Sequence, residues 1–160
     1  KDVGTISSLW EANMEVLDPE HSGINLFDEN WKIYSRNSGM TGHKVGSDAV
    51  IQNSMITDGC RINGTVKHSI LFSGVKVEKG ARVEDAVVMG GTVIKAGAVV
   101  EHCIVAEKVV IGEHATVGAM PKDGSHGVAT IGSGITIGKD AKIGPNAMVN
   151  KNVEDGEEQW

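Results

Sequence analysis

The chain has 160 residues, 22% of them charged, and a formal net charge of −6, which indicates one acidic domain and argues against a nucleic-acid-binding surface. No run approaches the roughly 18 consecutive apolar residues of a membrane span, and the first residues lack the charged-then-apolar order of an export signal. The composition therefore predicts a cytoplasmic protein whose two cysteines are reduced, without a disulfide framework or a zinc module.

The first 44 residues carry no repeat and are predicted to form a helix followed by a linker. Ser8 and Glu11 fit a capping box, and the apolar residues around them predict a helix of about three turns that ends near Asp18 and Pro19. The segment 24–35 mixes apolar and polar residues and leads into the next region. The simplest interpretation is an amphipathic cover for the open end of the structure that follows.

A short repeat begins at Val45 and continues to about residue 150. One aliphatic residue recurs every five or six positions, usually two residues after a small side chain, and both face inward because residues i and i−2 share one face of a strand. Glycine commonly follows the aliphatic residue, as at Gly112 and Gly138, where we expect bends with positive φ. The eighteen aliphatic positions are Val45, Ile51, Ile56, Ile62, Val66, Leu71, Val77, Val83, Val88, Ile94, Val100, Val105, Ile111, Val117, Ile131, Ile137, Ile143 and Val149.

The spacing of these positions predicts the cross-section of the fold. The five-residue step settles at every third position, so one coil takes 17 residues and has three sides, and eighteen steps give about six coils. The expected fold class is all-β: a single-stranded parallel β-helix of triangular coils over residues 45–150, preceded by a short α-helical cover segment. Short hexapeptide coils resemble the left-handed β-helix family, which indicates the hand.

Aligning four short sides of the coils predicts two outward-facing ladders. Their members are Lys67, Glu84 and Glu101 in one row and His68, Asp85 and His102 in the next. At about 4.8 Å per rung, His68 and His102 lie roughly 9–10 Å apart, whereas two nitrogens bound to one zinc lie at most about 4.2 Å apart. A solvated ladder is therefore preferred to a metal site.

The repeat is interrupted after Val117, because the next inward aliphatic residue comes 14 positions later. The insertion 118–130 contains Gly, Pro, Asp and Ser, which are typical of a surface loop. Long loops on rigid scaffolds also bind ligands, and Lys122 and His126 are then the residues of interest. The acidic segment 151–160 is interpreted as a solvated tail.

One functional hypothesis is a hexapeptide-repeat acyltransferase. Those enzymes resemble this architecture, commonly form trimers, and use a His between two prisms as general base. A neutral imidazole near pH 7 is suited to accept the proton of a hydroxyl or amine, so His102, His114 or His126 could serve. This hypothesis leaves residues 1–44 unexplained.

Three segments resemble the C-terminal third of bacterial ADP-glucose pyrophosphorylase (glucose-1-phosphate adenylyltransferase). They are KDVGTISSLWEANMEVLD, NLFDENWKIYS and the run NSMITDGCRINGTVKHSILFSGVKVEKGARVEDAVVMGGTVIKAGAVVEHCIV. The similarity covers roughly residues 1–112 and includes a DVGT segment, a WEAN helix and SILFSGV in order. The chain departs from many members at residues 37–46, where they carry a proline-rich linker, and from Val117 onward.

The resemblance implies that the chain is truncated before a catalytic domain, and that residues 1–44 are the end of that domain, a helix and a linker. In the family the Asp of DVGT, Asp2 here, helps bind the catalytic Mg²⁺, and ATP with glucose-1-phosphate gives ADP-glucose and pyrophosphate for glycogen synthesis. The 160 residues lack a Gly-rich phosphate loop, so we expect them to be inactive by themselves and to need no cofactor.

The resemblance also implies that the β-helix serves oligomerisation and allostery, within a homo- or hetero-oligomer whose expected state is a tetramer. Candidate contacts to an anionic effector are Lys44, Arg61, Lys76 and Arg82. Some members hold a phosphorylated effector with an Arg beside their SVLF-type segment, where this chain has Gly74, and a Lys lacks the bidentate fork of that Arg. A non-catalytic regulatory paralogue is a third hypothesis.

Overall fold

The computed structural model describes residues 2–34, 37–122 and 127–160, and most of its regular structure is short parallel strands. Two helices precede the strands: α1 (Ile6–Met14) and α2 (Pro19–Ser22), joined by a 3-10 turn at Glu15–Leu17. Within the described ranges, no helix is both long enough and apolar enough to cross a membrane.

Seventeen strands follow within the described part of the chain. They are β1 (Lys44–Val45), β2 (Val50–Gln52), β3 (Met55–Ile56), β4 (Arg61–Ile62), β5 (Thr65–Lys67), β6 (Ile70–Leu71), β7 (Lys76–Val77), β8 (Arg82–Val88), β9 (Val93–Ile94), β10 (Val99–Val105), β11 (Val110–Ile111), β12 (Thr116–Val117), β13 (Ala129–Ile131), β14 (Thr136–Ile137), β15 (Lys142–Ile143), β16 (Met148–Val149) and β17 (Glu158–Gln159).

The strands stack into the three sides of a triangular prism. Side 1 contains β1, β4, β7, β9, β11 and β14 in order. Side 2 contains β2, β5, the first half of β8, the first half of β10, β12, β15 and β17, whereas side 3 contains β3, β6, the second halves of β8 and β10, β13 and β16. Every pairing is parallel, and partners such as Val66 and Val83 are 17 residues apart. The predicted left-handed β-helix of triangular coils is confirmed.

The core of the prism consists of the predicted inward aliphatic residues. Fifteen of the eighteen are at most 3% exposed, and small side chains such as Ala81, Ala98 and Ala115 fill the space between them. The exceptions lie in the first coil, where Val45 and Ile51 are 44% and 38% exposed. That coil has a neighbouring coil on one side only, so its inward side chains are incompletely covered.

The explanation given above for the glycines after the aliphatic residues is wrong. Neither Gly112 nor Gly138 has a positive φ. A Cβ on Gly112 would instead come 2.6 Å from the carbonyl carbon of Gly138 in the next coil, and a Cβ on Gly138 would come 2.5 Å from the backbone nitrogen of Asp155. Glycine is needed at these positions because the backbones of successive coils approach closely there.

The corner between sides 2 and 3 is where left-handed backbone recurs. Asn53, His68, Asp85 and His102 occupy equivalent places in four successive coils, with φ of 40°, 41°, 51° and 45°. Asn, Asp and His are the residues that adopt this conformation most readily after glycine. The corner therefore turns without interrupting β8 and β10, and the side chains at these four positions stack from coil to coil.

Helix α1 begins one turn earlier than the predicted capping box. Thr5 is the N-cap, its side chain accepts the backbone N–H of Ser8, and the Ser8 hydroxyl accepts the backbone N–H of Thr5. The Ser8–Glu11 pair of the prediction is inside the helix. The predicted end is correct, since Asp18 caps α2 at its N-terminus.

Helix α1 covers a side of the prism and not its open end. Met14 packs with Val87, Ile104 and Val128 in a small apolar cluster on the outside of side 3, joined by Leu9 and other residues of the same segment. Because the outward residues of β8 and β10 are apolar here, they offer a second hydrophobic surface beyond the core. The expectation of an end cover was therefore wrong, although the helical segment itself was predicted.

The segment 151–160 continues the prism, and its interpretation as a solvated tail was wrong. Val153 is 2% exposed and forms a parallel bridge with Ile137, and β17 pairs with β15. Lys142 Nζ donates to Glu158 Oε1 at 2.7 Å, and this bond lowers the pKa of the Glu158 carboxyl. The repeat was missed here because a single buried Val marks it among acidic residues.

The insertion leaves the prism at the predicted corner but is shorter than predicted. It lies between Val117 of β12 and Ala129 of β13, and residues 129–131 already pair with Cys103–Val105. Val128 is buried against the α1 cluster. This end of the insertion is therefore part of the packed structure.

Candidate functional site

Asp2 precedes helix α1 and is exposed. Its Oδ1 accepts the backbone N–H of Gly4 at 3.0 Å, which forms a tight turn immediately before the N-cap Thr5. The carboxylate supplies the hard oxygen donor that Mg²⁺ takes, and a magnesium site completed by substrate phosphates needs only one or two carboxylates. Asp2 therefore fits as one ligand of such a site. Within the described residues no group of three or more His, Cys, Asp or Glu side chains could hold a metal by itself.

Trp10 joins helix α1 to the corner of the prism. Its Nε1 donates to the backbone oxygen of Asp85 at 2.8 Å, and its ring centroid lies 4.5 Å from that of His102 at an interplanar angle of 58°. The indole thus contacts the corner residues of two successive coils. The sequence analysis did not identify this contact; the only signal was a single aromatic residue in the middle of an otherwise small helix.

The outward ladder of His68, Asp85 and His102 exists, but only part of it is solvated. His68 Nδ1 lies 2.5 Å from Asp85 Oδ1, with side-chain exposures of 42% and 18%. His102 is only 8% exposed because the Trp10 ring covers it. The helix was not expected at this corner, so the burial of His102 could not be predicted from the ladder alone.

The three histidines proposed as acyltransferase bases are not equivalent. His102 is buried beneath Trp10 and is therefore inaccessible to a bulky acyl donor. His114 is exposed at a turn with φ of 57° and lies against Gly97 of the preceding coil. His126 lies outside the described residues, and Lys122 lies at the edge of that range.

Three of the four proposed effector contacts form one ladder on side 1. Lys44 is in register with Arg61, and Arg61 with Lys76, so the three cations occupy successive rungs of the same outward row. All three are exposed. With neighbouring strands about 4.8 Å apart, the two outer Cα atoms lie roughly 10 Å from each other. We call Lys44, Arg61 and Lys76 the basic ladder.

Arg82, the fourth candidate, does not belong to the basic ladder. It begins β8 on side 2 and its guanidinium donates to the carboxylate of Glu101 in the next coil. An arginine already paired with a carboxylate attracts a further anion only weakly. Sequence spacing did not separate Arg82 from the others, because its side of the prism is determined by the count along the coil.

Both cysteines face the core. Cys60 and Cys103 are free thiols with no exposed surface, and burial raises the pKa of each thiol. A protonated, buried thiol is a poor nucleophile, so neither cysteine carries chemistry.

Comparison with known proteins decides the family. The profile described as "GlmU-like, C-terminal hexapeptide" matches residues 38–138, which form most of the prism. The chain belongs to the GlmU-like C-terminal hexapeptide family. This assignment agrees with the stacked coils and with the small-residue core.

The relatives with the most informative names are glucose-1-phosphate adenylyltransferases. The chain is 47% identical over 81 residues to the protein of Geobacillus stearothermophilus and 52% identical over 81 residues to that of Bacillus mycoides, in each case 51% of this chain and 21% of the relative. It is 49% identical over 79 residues to the protein of Clostridium botulinum, which is 49% of this chain and 20% of the relative. The matches therefore span about a fifth of the length of these relatives.

A solved structure supports the fold of this family member independently. The acetyltransferase domain of PglB from Neisseria gonorrhoeae, in complex with acetyl coenzyme A, superposes with a TM-score of 0.52 over 74% of this chain and 54% of that domain. The sequence identity is 18%, so the likeness concerns the fold alone.

Proposed function

We propose that this chain is the C-terminal β-helix region of a glucose-1-phosphate adenylyltransferase. The observation that carries the proposal is the 47–52% identity to adenylyltransferases within a chain whose hexapeptide family is established. The parent protein converts ATP and glucose-1-phosphate into ADP-glucose and pyrophosphate, which supplies glucosyl units for glycogen synthesis in the cytoplasm.

Asp2 is the residue of this chain that we assign to the reaction. Bound Mg²⁺ would supply positive charge against the phosphate oxygens of ATP. The part of this chain in that chemistry is to present the Asp2 carboxylate, which the Gly4 N–H orients from one side. The other groups that such a reaction needs belong to the catalytic domain of the parent protein in this proposal.

The remaining residues divide into a connecting segment and a regulatory prism. We assign residues 1–44 to the end of the catalytic domain, the helix and the linker, and residues 45–160 to the β-helix, which includes the last partial coil. The prism contributes to an oligomer, for which a tetramer is the proposed state. Its flat sides are suitable surfaces for such contacts.

The basic ladder is the proposed anion-binding surface of the prism. Lys44, Arg61 and Lys76 place three positive charges over roughly 10 Å on a flat strand surface. An anionic effector with two phosphate groups could contact two rungs at once, with Arg61 providing bidentate contacts and the lysines acting as point charges. Arg82 is left out of this surface because Glu101 pairs with it.

The proposal is tested on the intact parent protein. Release of pyrophosphate from ATP, glucose-1-phosphate and Mg²⁺ is followed for the wild type and for Asp2→Ala. Asp28→Ala is the matched control, since Asp28 makes the same kind of turn by accepting the backbone N–H of Asn30 at 2.8 Å. We expect turnover by the wild type and by the control, and loss of turnover in Asp2→Ala.

The two other hypotheses give different results in the same assay. An intact wild-type protein that releases no pyrophosphate but still associates with an active adenylyltransferase would be the regulatory paralogue. Binding of acetyl coenzyme A measured by calorimetry, together with a trimeric mass, would restore the acyltransferase hypothesis. Burial of His102 under Trp10 is a reason to rank that hypothesis below the adenylyltransferase.

A further inference from the structure

Asp2 and Trp10 are connected by a continuous run of locally fixed backbone. The Asp2–Gly4 turn is followed directly by the Thr5–Ser8 capping box, and α1 then continues through Trp10. Each of these elements is held by short-range hydrogen bonds and contains no intervening loop. A displacement of Trp10 along or around the helix axis is therefore transmitted to the Asp2 carboxylate.

Most of the contact between α1 and the prism is apolar and does not define a precise position. Leu9 and Met14 pack against Val87 and Ile104, which are aliphatic side chains on successive coils. Hydrophobic contact is non-directional, so a helix can shift or rotate on such a surface at little cost. The repeating coils also offer similar surfaces one rung above and below.

Trp10 supplies the directional contact that defines the helix position. Its Nε1 donates to the Asp85 backbone oxygen, and its ring lies over His102 in the next coil. A hydrogen bond to one backbone oxygen is strongly dependent on distance and angle. A shift of α1 by one rung, about 4.8 Å, would break this bond and move the indole off His102.

We infer that Trp10 is a positioning residue for Asp2: it fixes α1 against the corner formed by Asp85 and His102, and so holds the Asp2 carboxylate where the reacting phosphates need it. This inference rests on the proposed function. A displacement of about 1 Å in a catalytic group can reduce turnover by about 100-fold. The prism thereby contributes to the reaction of the parent protein through a contact made entirely within this chain.

The test uses the intact parent protein and three variants. Trp10→Phe keeps an aromatic ring over His102 but removes the N–H donor, and Trp10→Ala removes both contacts. Ser7→Ala is the control, because Ser7 is exposed on the same helix. Pyrophosphate release gives kcat and the KM for glucose-1-phosphate. Calorimetric titration of Mg²⁺ with ATP but without glucose-1-phosphate measures metal binding without turnover.

We expect kcat to fall by about 10-fold in Trp10→Phe and by about 100-fold in Trp10→Ala, with the KM for glucose-1-phosphate unchanged and Mg²⁺ binding weakened in the same order. Ser7→Ala should match the wild type. Unchanged kcat and Mg²⁺ binding in folded Trp10→Phe would overturn the inference, even if its melting temperature were lower. Absence of pyrophosphate release from the wild type would instead overturn the proposed function on which the inference rests.

Discussion

The imidazole Nδ1 of His68 lies 2.5 Å from Oδ1 of Asp85, and the bond joins two successive coils at the corner between sides 2 and 3. Asp85 is the more buried partner, with 18% of its side chain exposed. The same residue gives its backbone oxygen to Trp10. The corner therefore links coil to coil through side chains and prism to helix through the backbone.

The His68–Asp85 bond is expected to stabilise the prism by about 1 kcal/mol. Asp85→Asn is the suitable change because Asn tolerates the left-handed φ of 51° at this position. His68→Ala, Asp85→Asn and the double variant form a cycle measured by urea unfolding. We expect the double variant to lose less free energy of unfolding than the sum of the single losses. Strictly additive losses would show that the two side chains do not interact.

The last partial coil is expected to contribute to stability. Val153→Ala removes two buried methyl groups beside Ile137 and should lower the free energy of unfolding by about 2 kcal/mol. Lys151→Ala changes an exposed residue of the same segment and should alter it by less than about 0.5 kcal/mol. Equal effects of the two substitutions in thermal or urea unfolding would contradict the assignment of 151–160 to the prism.

The close approach of successive coils predicts a strong difference between two glycines. Gly112→Ala would place a Cβ 2.6 Å from the carbonyl carbon of Gly138, where only backbone could move, and should cost about 1–3 kcal/mol. Gly42→Ala meets no heavy atom within 4 Å and should be neutral or slightly stabilising. Urea unfolding of both variants measures the difference, and a tolerated Gly112→Ala would mean that the coils separate easily.

The repeat could be predicted from the sequence because each coil repeats one physical requirement. An inward aliphatic residue such as Ile94 or Ile111 must recur wherever the strand faces the same core, so the count of 17 residues per coil is visible without any contact information. The register of the basic ladder follows from the same count. Both features depend on local period alone.

The position of α1 could not be predicted, because it depends on contacts distant in sequence. Trp10 is 75 residues from Asp85, and nothing in the period of either segment connects them. The apolar outward residues Val87 and Ile104 were a missed signal, since outward strand positions of a solvated side are usually polar. The last coil was missed for a different reason: its inward position is marked by Val153 alone.

The basic ladder makes a prediction of opposite sign for two charge reversals. Arg61 lies between Lys44 and Lys76, and like charges opposite each other on neighbouring strands are destabilising. Arg61→Glu should therefore raise the free energy of unfolding by about 0.5 kcal/mol at low salt, with the gain lost at 1 M salt, where the Debye length is about 3 Å.

Lys95→Glu is the matched reversal in the neighbouring outward row of side 1. Lys95 Nζ lies 3.3 Å from Glu78 Oε1, so this substitution replaces an exposed ion pair by two like charges and should lower the melting temperature. Added pyrophosphate should stabilise the wild type and Lys95→Glu but not Arg61→Glu, because only the last variant interrupts the basic ladder. A pyrophosphate-induced rise in melting temperature that survives Arg61→Glu would place anion binding elsewhere on the protein.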